Sequence, residues 1–275
     1  MPEILPNAIE VTGLLAAATL LAASAAVSVA KPAAGRFMRT AGGWAGFGLG
    51  VAILAWHSIS TGAWLPLDDN FDALATLGLM LAGCVLYIQT TRPVGGLDWF
   101  VLPVAALMLV GAAIFGRELP HQYRETAWSL THRASAYGGA LALAVAGAVG
   151  AMYLVANRRL RSKEISSGPA MASLERLESI AHMSLVLGWP LFTVGLVTGI
   201  LWGIHRTSQG ADQQHAFFGP KVLLAVGVWV VYALALHSPI NPSFRGRKAA
   251  VLSLIGLVLM AGTLVAVQFM PGGAK

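Results

Sequence analysis

The sequence predicts an all-α integral membrane protein of about eight transmembrane helices, with both termini on the outer side. Three observations lead there. Of the 275 residues, 56% are hydrophobic and only 11% charged, where soluble domains carry about a quarter charged residues. The mean hydropathy is +0.69. The apolar residues come in continuous blocks long enough to cross about 30 Å of hydrocarbon as a helix, without the one-sided stripe of a soluble surface helix. Finally, the basic residues collect in alternate loops between these blocks.

The blocks read as spans at about 7–30, 41–60, 71–91, 98–116, 127–156, 178–203, 217–237 and 248–269. Backbone groups in lipid have no water to bond, so each span is expected to be a helix. The first is read as a span and not as a cleaved signal, because Met1 to Ile9 lacks a basic n-region. The second carries Gly42, Gly43, Gly46, Gly48 and Gly50, which suits close helix contact. The third holds the only cysteine, Cys84, which excludes an internal disulfide framework and is expected to be buried and inert. The fifth is long and is expected to project past the bilayer at its arginine-rich end. The sixth and seventh are chain neighbours, expected to pack antiparallel. A single membrane domain, 1–275, is expected.

Orientation follows from the loops. Lys31, Arg36 and Arg39, then Arg92, then Arg158, Arg159, Arg161, Lys163 and Arg176, then Arg245, Arg247 and Lys248 make up 12 of the 18 Lys and Arg. The alternate loops hold eight of the 12 acids, among them Glu10, Asp68, Asp69 and Asp72. The positive-inside rule puts the first set in the cytoplasm, as in a multi-pass protein of the bacterial cytoplasmic membrane. Orientation also accounts for the pI near 9.8, so no nucleic-acid partner is expected and membrane lipid is. P-loop and dinucleotide signatures are absent.

Seven histidines in so apolar a chain are the informative feature, since ionisable side chains at membrane depth are costly and often functional. His57, near the end of the second span, and His132, one turn into the fifth, fall near the outer face. His182, one turn into the sixth span, and His237, at the end of the seventh, fall near the inner face. Two imidazoles at one depth on facing helices can hold a haem iron from both sides. The plain alternative is that each histidine only hydrogen-bonds backbone or headgroups. His205 and His215 share a loop with Asp212, but their spacing matches no compact zinc motif. Trp229, mid-span, is expected to be a packing residue.

Four stretches resemble the cytochrome c assembly protein family. They are Thr61-Gly62 through Pro66-Leu67 to Asn70-Phe71-Asp72-Ala73-Leu74; Trp128-Ser129-Leu130-Thr131-His132; Leu177-Glu178-Ser179 with Gly188-Trp189, Thr193, Gly195, Gly199 and Trp202; and Pro220-Lys221 with Trp229, Tyr232 and Leu236-His237. The region covered is about 57–260. The family's tryptophan-rich loop is missing between Trp202 and Pro220, and Gly219 and Val222 replace the family's Asp and Glu. This pattern is closer to the HemX/YpjD-like branch than to the full CcsA-type synthases.

The resemblance implies a haem-interacting membrane protein of cytochrome c biogenesis or haem homeostasis, with a non-covalent b-type haem. It implies His132 as an outer haem ligand and His237 as a ligand within the membrane. The places of His182 and His57 rest on the depth argument, and Arg206 and Lys221 are the candidate propionate or loop contacts, with plain snorkelling or headgroup contact as the alternative for each. Partners would be other cytochrome c assembly or haem-synthesis proteins. The second hypothesis is a non-catalytic regulator or scaffold without haem; a small-solute transporter is a third. No nucleophile–base pair marks an enzyme.

Overall fold

In the computed structural model eight α-helices follow one another: α1 (Ala8–Ala30), α2 (Gly35–Thr61), α3 (Asn70–Thr91), α4 (Leu97–Phe115), α5 (Ala127–Arg161), α6 (Leu174–Ser208), α7 (Pro220–Leu236) and α8 (Arg247–Phe269). The structure describes residues 7–30, 35–61, 70–91, 93–116, 126–162, 171–208, 220–238 and 246–269, and every regular element among them is helical. Each helix coincides with one expected span. α5 and α6, at 35 residues each, outrun a bilayer because a helix does not stop where hydrocarbon stops. Their excess lies in polar ends such as Arg158, Arg159 and Arg161.

Among the described residues five helices, α1, α3, α4, α5 and α6, are long and apolar enough to cross a membrane by length and composition. α7 has 17 residues, a rise of about 26 Å. α2 combines a glycine run with Trp44, Trp56 and His57, which dilutes its apolarity.

The helices divide into two compact units. The first comprises residues 1–122 and 155–176, the second 123–154 and 177–275. In the first, α4 lies against both α1 and α3, and α2 against α1 and α3. One face of α1, Leu14, Ala17, Leu21 and Ala25, is buried at helical spacing. A β-carbon on Gly78 of α3 would sit 3.0 Å from the Ala105 carbonyl oxygen of α4, so that contact is backbone to backbone. Asp98 opens α4 and is 3% exposed; Gln89 Nε2 donates to its Oδ1 at 3.3 Å. Ala172 N–H donates to Gly95 O at 3.0 Å, bringing the segment after α5 to the same end of the unit. Cys84 is half-buried on α3, less enclosed than expected.

In the second unit Tyr232 is the tie. It is 0% exposed, and its hydroxyl donates to Leu143 O of α5 at 3.0 Å. The ring covers Gly256 of α8, whose missing β-carbon would meet it at 2.6 Å. Trp189 of α6 and Trp229 of α7 lie against each other, tilted by 33°, with ring centroids 5.1 Å apart. Trp229 Nε1 donates to Thr193 Oγ1 at 2.8 Å and Trp189 Nε1 to Trp229 O at 3.3 Å. Both indole N–H groups are thus satisfied by protein, and Trp229 is a packing residue.

α5 and α6 touch backbone to backbone: a β-carbon on Gly195 would lie 2.8 Å from Ala136 Cα. Gly195→Val is therefore expected to force α6 off α5 and to destabilise the unit by about 1–3 kcal/mol or more. Gly227→Ala, with nothing within 4 Å of the added carbon, is expected to be neutral or slightly stabilising. Thermal unfolding of the detergent-solubilised protein checks both.

Candidate functional site

His132 lies on α5 against α6. Its Nδ1 is 2.8 Å from Gly195 O and 3.2 Å from Thr198 Oγ1. A carbonyl oxygen only accepts, so the ring hydrogen belongs on Nδ1 and Nε2 keeps a free lone pair. The ring fits because residue 199 is glycine; a β-carbon there would lie 2.7 Å from His132 Cε1. Nε2 takes no hydrogen bond among the described residues. The Thr198 hydroxyl, hydrogen-bonded to Val194 O at 2.6 Å, holds the other side of the Nδ1 contact.

His237 repeats the pattern at the end of α7. Its Nδ1 is 2.7 Å from Ala233 O, a carbonyl in the last turn that also accepts from His237 N–H at 3.1 Å. By the same argument Nδ1 carries the hydrogen and Nε2 the lone pair, on a side chain that is exposed. Leu223, Val226, Val230 and Leu234, all exposed, run along α7 at helical spacing toward His237. This imidazole therefore ends an apolar face.

An imidazole whose Nδ1–H is fixed by a carbonyl and whose Nε2 lone pair is left over has the donor chemistry that would hold a haem iron. The donor set of His132 and His237 fits the group. They stand at two levels. His132 is level with Gly195 on α6, while the Trp189–Trp229 contact sets the antiparallel register that brings His237 level with the region of His182. The two levels are roughly 20 Å apart along α6.

His182 matches His237 in height but has different surroundings. It lines a cleft together with Tyr153, Glu178, Ser238 and Ser253, with a cavity volume of about 40 Å³. That space holds a few water-sized groups and no porphyrin. Its Nδ1 is buried and has no hydrogen-bond partner among the described residues.

His57 belongs to the first unit and His132 to the second. His57 is 1% exposed, with Nδ1 3.1 Å from Glu10 Oε1, Nε2 3.7 Å from Asp72 Oδ1, and its ring 4.8 Å from that of Phe71. Both nitrogens face carboxylates and neither faces open space, an arrangement that joins α1, α2 and α3. Glu10 and Asp72, 3% and 1% exposed, count among the loop acids in the sequence yet are core residues. Their only linear signal is a carboxylate in the first turn of an apolar run, after Asn7 and Asn70. The Glu10 Oε2 atom accepts from Asn7 N–H at 3.0 Å. The side chains of Arg206 and Lys221, and His121, His205 and His215, lie outside the described residues. Among the described residues no group of three or more His, Cys, Asp or Glu is placed to hold a metal ion.

Removing one partner of a buried charged contact leaves the other uncompensated. His57→Ala is expected to cost about 3–5 kcal/mol, whereas His57→Ala combined with Glu10→Gln and Asp72→Asn recovers part of that loss. Unfolding of the single and combined variants in detergent reads this difference.

Comparison with known proteins matches the model of the family described as "Cytochrome C assembly protein" to residues 49–273. Proteins named cytochrome c biogenesis protein CcsA from Synechococcus sp. (strain CC9605) and Parasynechococcus marenigrum are 25% and 26% identical over 237 residues, 74% of this chain and 75% of each relative. The CcsA protein of Pyropia yezoensis is 27% identical over 113 residues, 41% of this chain and 34% of that protein. No solved structure matches. The family match spans most of the eight-helix region, both histidines with an open Nε2 included: the chain belongs to the cytochrome c assembly protein family.

Proposed function

We propose that this protein handles haem in the membrane during cytochrome c biogenesis, with His132 and His237 as iron ligands at two separate sites of the second unit. Membership of the family carries the role in cytochrome c biogenesis. The ligand assignment rests on one observation: of the four histidines whose side chains are described, these two have Nδ1 tied to a carbonyl and Nε2 without a hydrogen bond among the described residues. Bound haem would supply an iron that takes nitrogen ligands, with the propionates left for polar contacts. The chain's own residues do the rest. Gly195 O and Thr198 orient the His132 ring, Gly199 leaves room for it, and Ala233 O orients the His237 ring. Neither ring can turn its lone pair inward without losing that bond.

The same reading takes in the topology: eight spans, both termini outside, and the arginine-rich loops in the cytoplasm of a bacterium. The 12-to-6 division of Lys and Arg between alternate loops supports it. The HemX/YpjD-like branch is the proposed place within the family, on the ground that residues 203–219 lack the tryptophan-rich run. Arg206 and Lys221, flanking that loop, are proposed as propionate contacts on the outer side. His57 is left as a structural tie.

A visible spectrum of the purified protein tests this. A Soret band is expected, with haem per protein falling by about half in His132→Ala and in His237→Ala and vanishing in the double variant. Thr198→Val, which loosens the ring of His132, is expected to lower haem affinity at that site by about tenfold. A colourless preparation after haem supplementation would replace this reading with that of a haem-free regulator or scaffold.

A further inference from the structure

The cleft of the second unit has chemistry that iron ligation by His132 and His237 leaves unused. Its walls come from four places in the chain: Tyr153 on α5, Glu178 and His182 on α6, Ser238 after α7, and Ser253 on α8. Glycine keeps it open. Gly246, at φ +64, is in the left-handed region that favours glycine, and a β-carbon there would lie 2.8 Å from Tyr153 Oη.

Three of the polar groups can present hydrogen: the Ser238 and Ser253 hydroxyls and the His182 imidazole. His182 Nδ1 is buried with no partner among the described residues, and such an atom in a folded protein calls for a water, ion or ligand. Arg247 and Lys248, directly after Gly246 and exposed, add positive potential at that end of α8. Glu178 is the single acceptor-only group. The volume, about 40 Å³, suits two or three water-sized atoms. Ser238 is the residue after His237, so the cleft adjoins the turn that carries that ligand.

We propose that this cleft is a carboxylate subsite that takes a propionate of the haem whose iron His237 ligates. The inference rests on the haem reading. It makes His182 a propionate contact and not an iron ligand. Glu178 opposes the anion, so it limits affinity.

The test uses the full-length protein in detergent, titrated with haem and with haem dimethyl ester, which keeps the porphyrin and iron but lacks both carboxylates. Wild type is expected to bind haem about tenfold tighter than the diester, the size of one charge-assisted hydrogen bond. His182→Phe and the milder Ser253→Ala should bring haem down toward the diester, leaving diester affinity and Soret position unchanged. Glu178→Gln should tighten haem alone. His237→Ala is expected to remove binding of haem and of the diester at this site alike, leaving the His132 site. Excess acetate separates the two carboxylate sources: loss of the haem preference in acetate shows that a free carboxylate fills the same cleft, and no effect shows that only the tethered propionate does.

Three results would overturn the inference. Equal binding of haem and diester, still dependent on His237, removes the subsite and leaves the haem reading standing. A Soret shift with equal weakening of both porphyrins in His182→Phe makes His182 an iron ligand. Binding of neither porphyrin removes the haem reading and the subsite together.

Discussion

A main chain in hydrocarbon has no water to bond, and every other feature of this protein follows from that constraint. It makes each apolar block a helix. It also sends several hydroxyls back to their own helix, as when Ser135 Oγ donates to Thr131 O at 2.6 Å and Thr193 Oγ1 to Trp189 O at 2.7 Å. Polar side chains that cannot do this must find a partner on another helix. Tyr232 reaches Leu143 O, the two indoles bond across α6 and α7, and His132 reaches Gly195 O.

The histidines show how one side chain serves several ends under that rule. Placed between Glu10 and Asp72, His57 spends both nitrogens on tying three helices. Placed against a carbonyl of the helix backbone, His132 and His237 spend Nδ1 on it, and Nε2 takes no hydrogen bond among the described residues. His182 faces a small polar cleft. The difference lies in the neighbours and not in the histidine, and small residues set those neighbours: Gly199 gives the His132 ring its place, and Gly246 keeps a side chain out of the cleft that holds His182.

Close helix contact and site geometry are therefore one problem. The backbone approach at Gly195 and Ala136 both joins α5 to α6 and brings the carbonyl within reach of His132. A larger residue would lose the packing and the ring's orientation together. The Trp189–Trp229 contact plays the matching part for α6 and α7, setting the register that decides what lies level with His237.

The linear sequence by itself determined the helical class, the order and approximate limits of all eight helices, and the family, because block length, hydropathy and short local motifs are properties of contiguous residues. It also singled out the histidines, which stand out against so apolar a background. Only the tertiary structure decided what each imidazole faces. Glu10, His57 and Asp72 are 62 residues apart from first to last in the chain, and nothing local to any of them shows that they meet. Likewise, the open Nε2 of His132 depends on a carbonyl 63 residues away. Contacts of that kind arise from how helices pack, and packing is set by side chains on several helices at once.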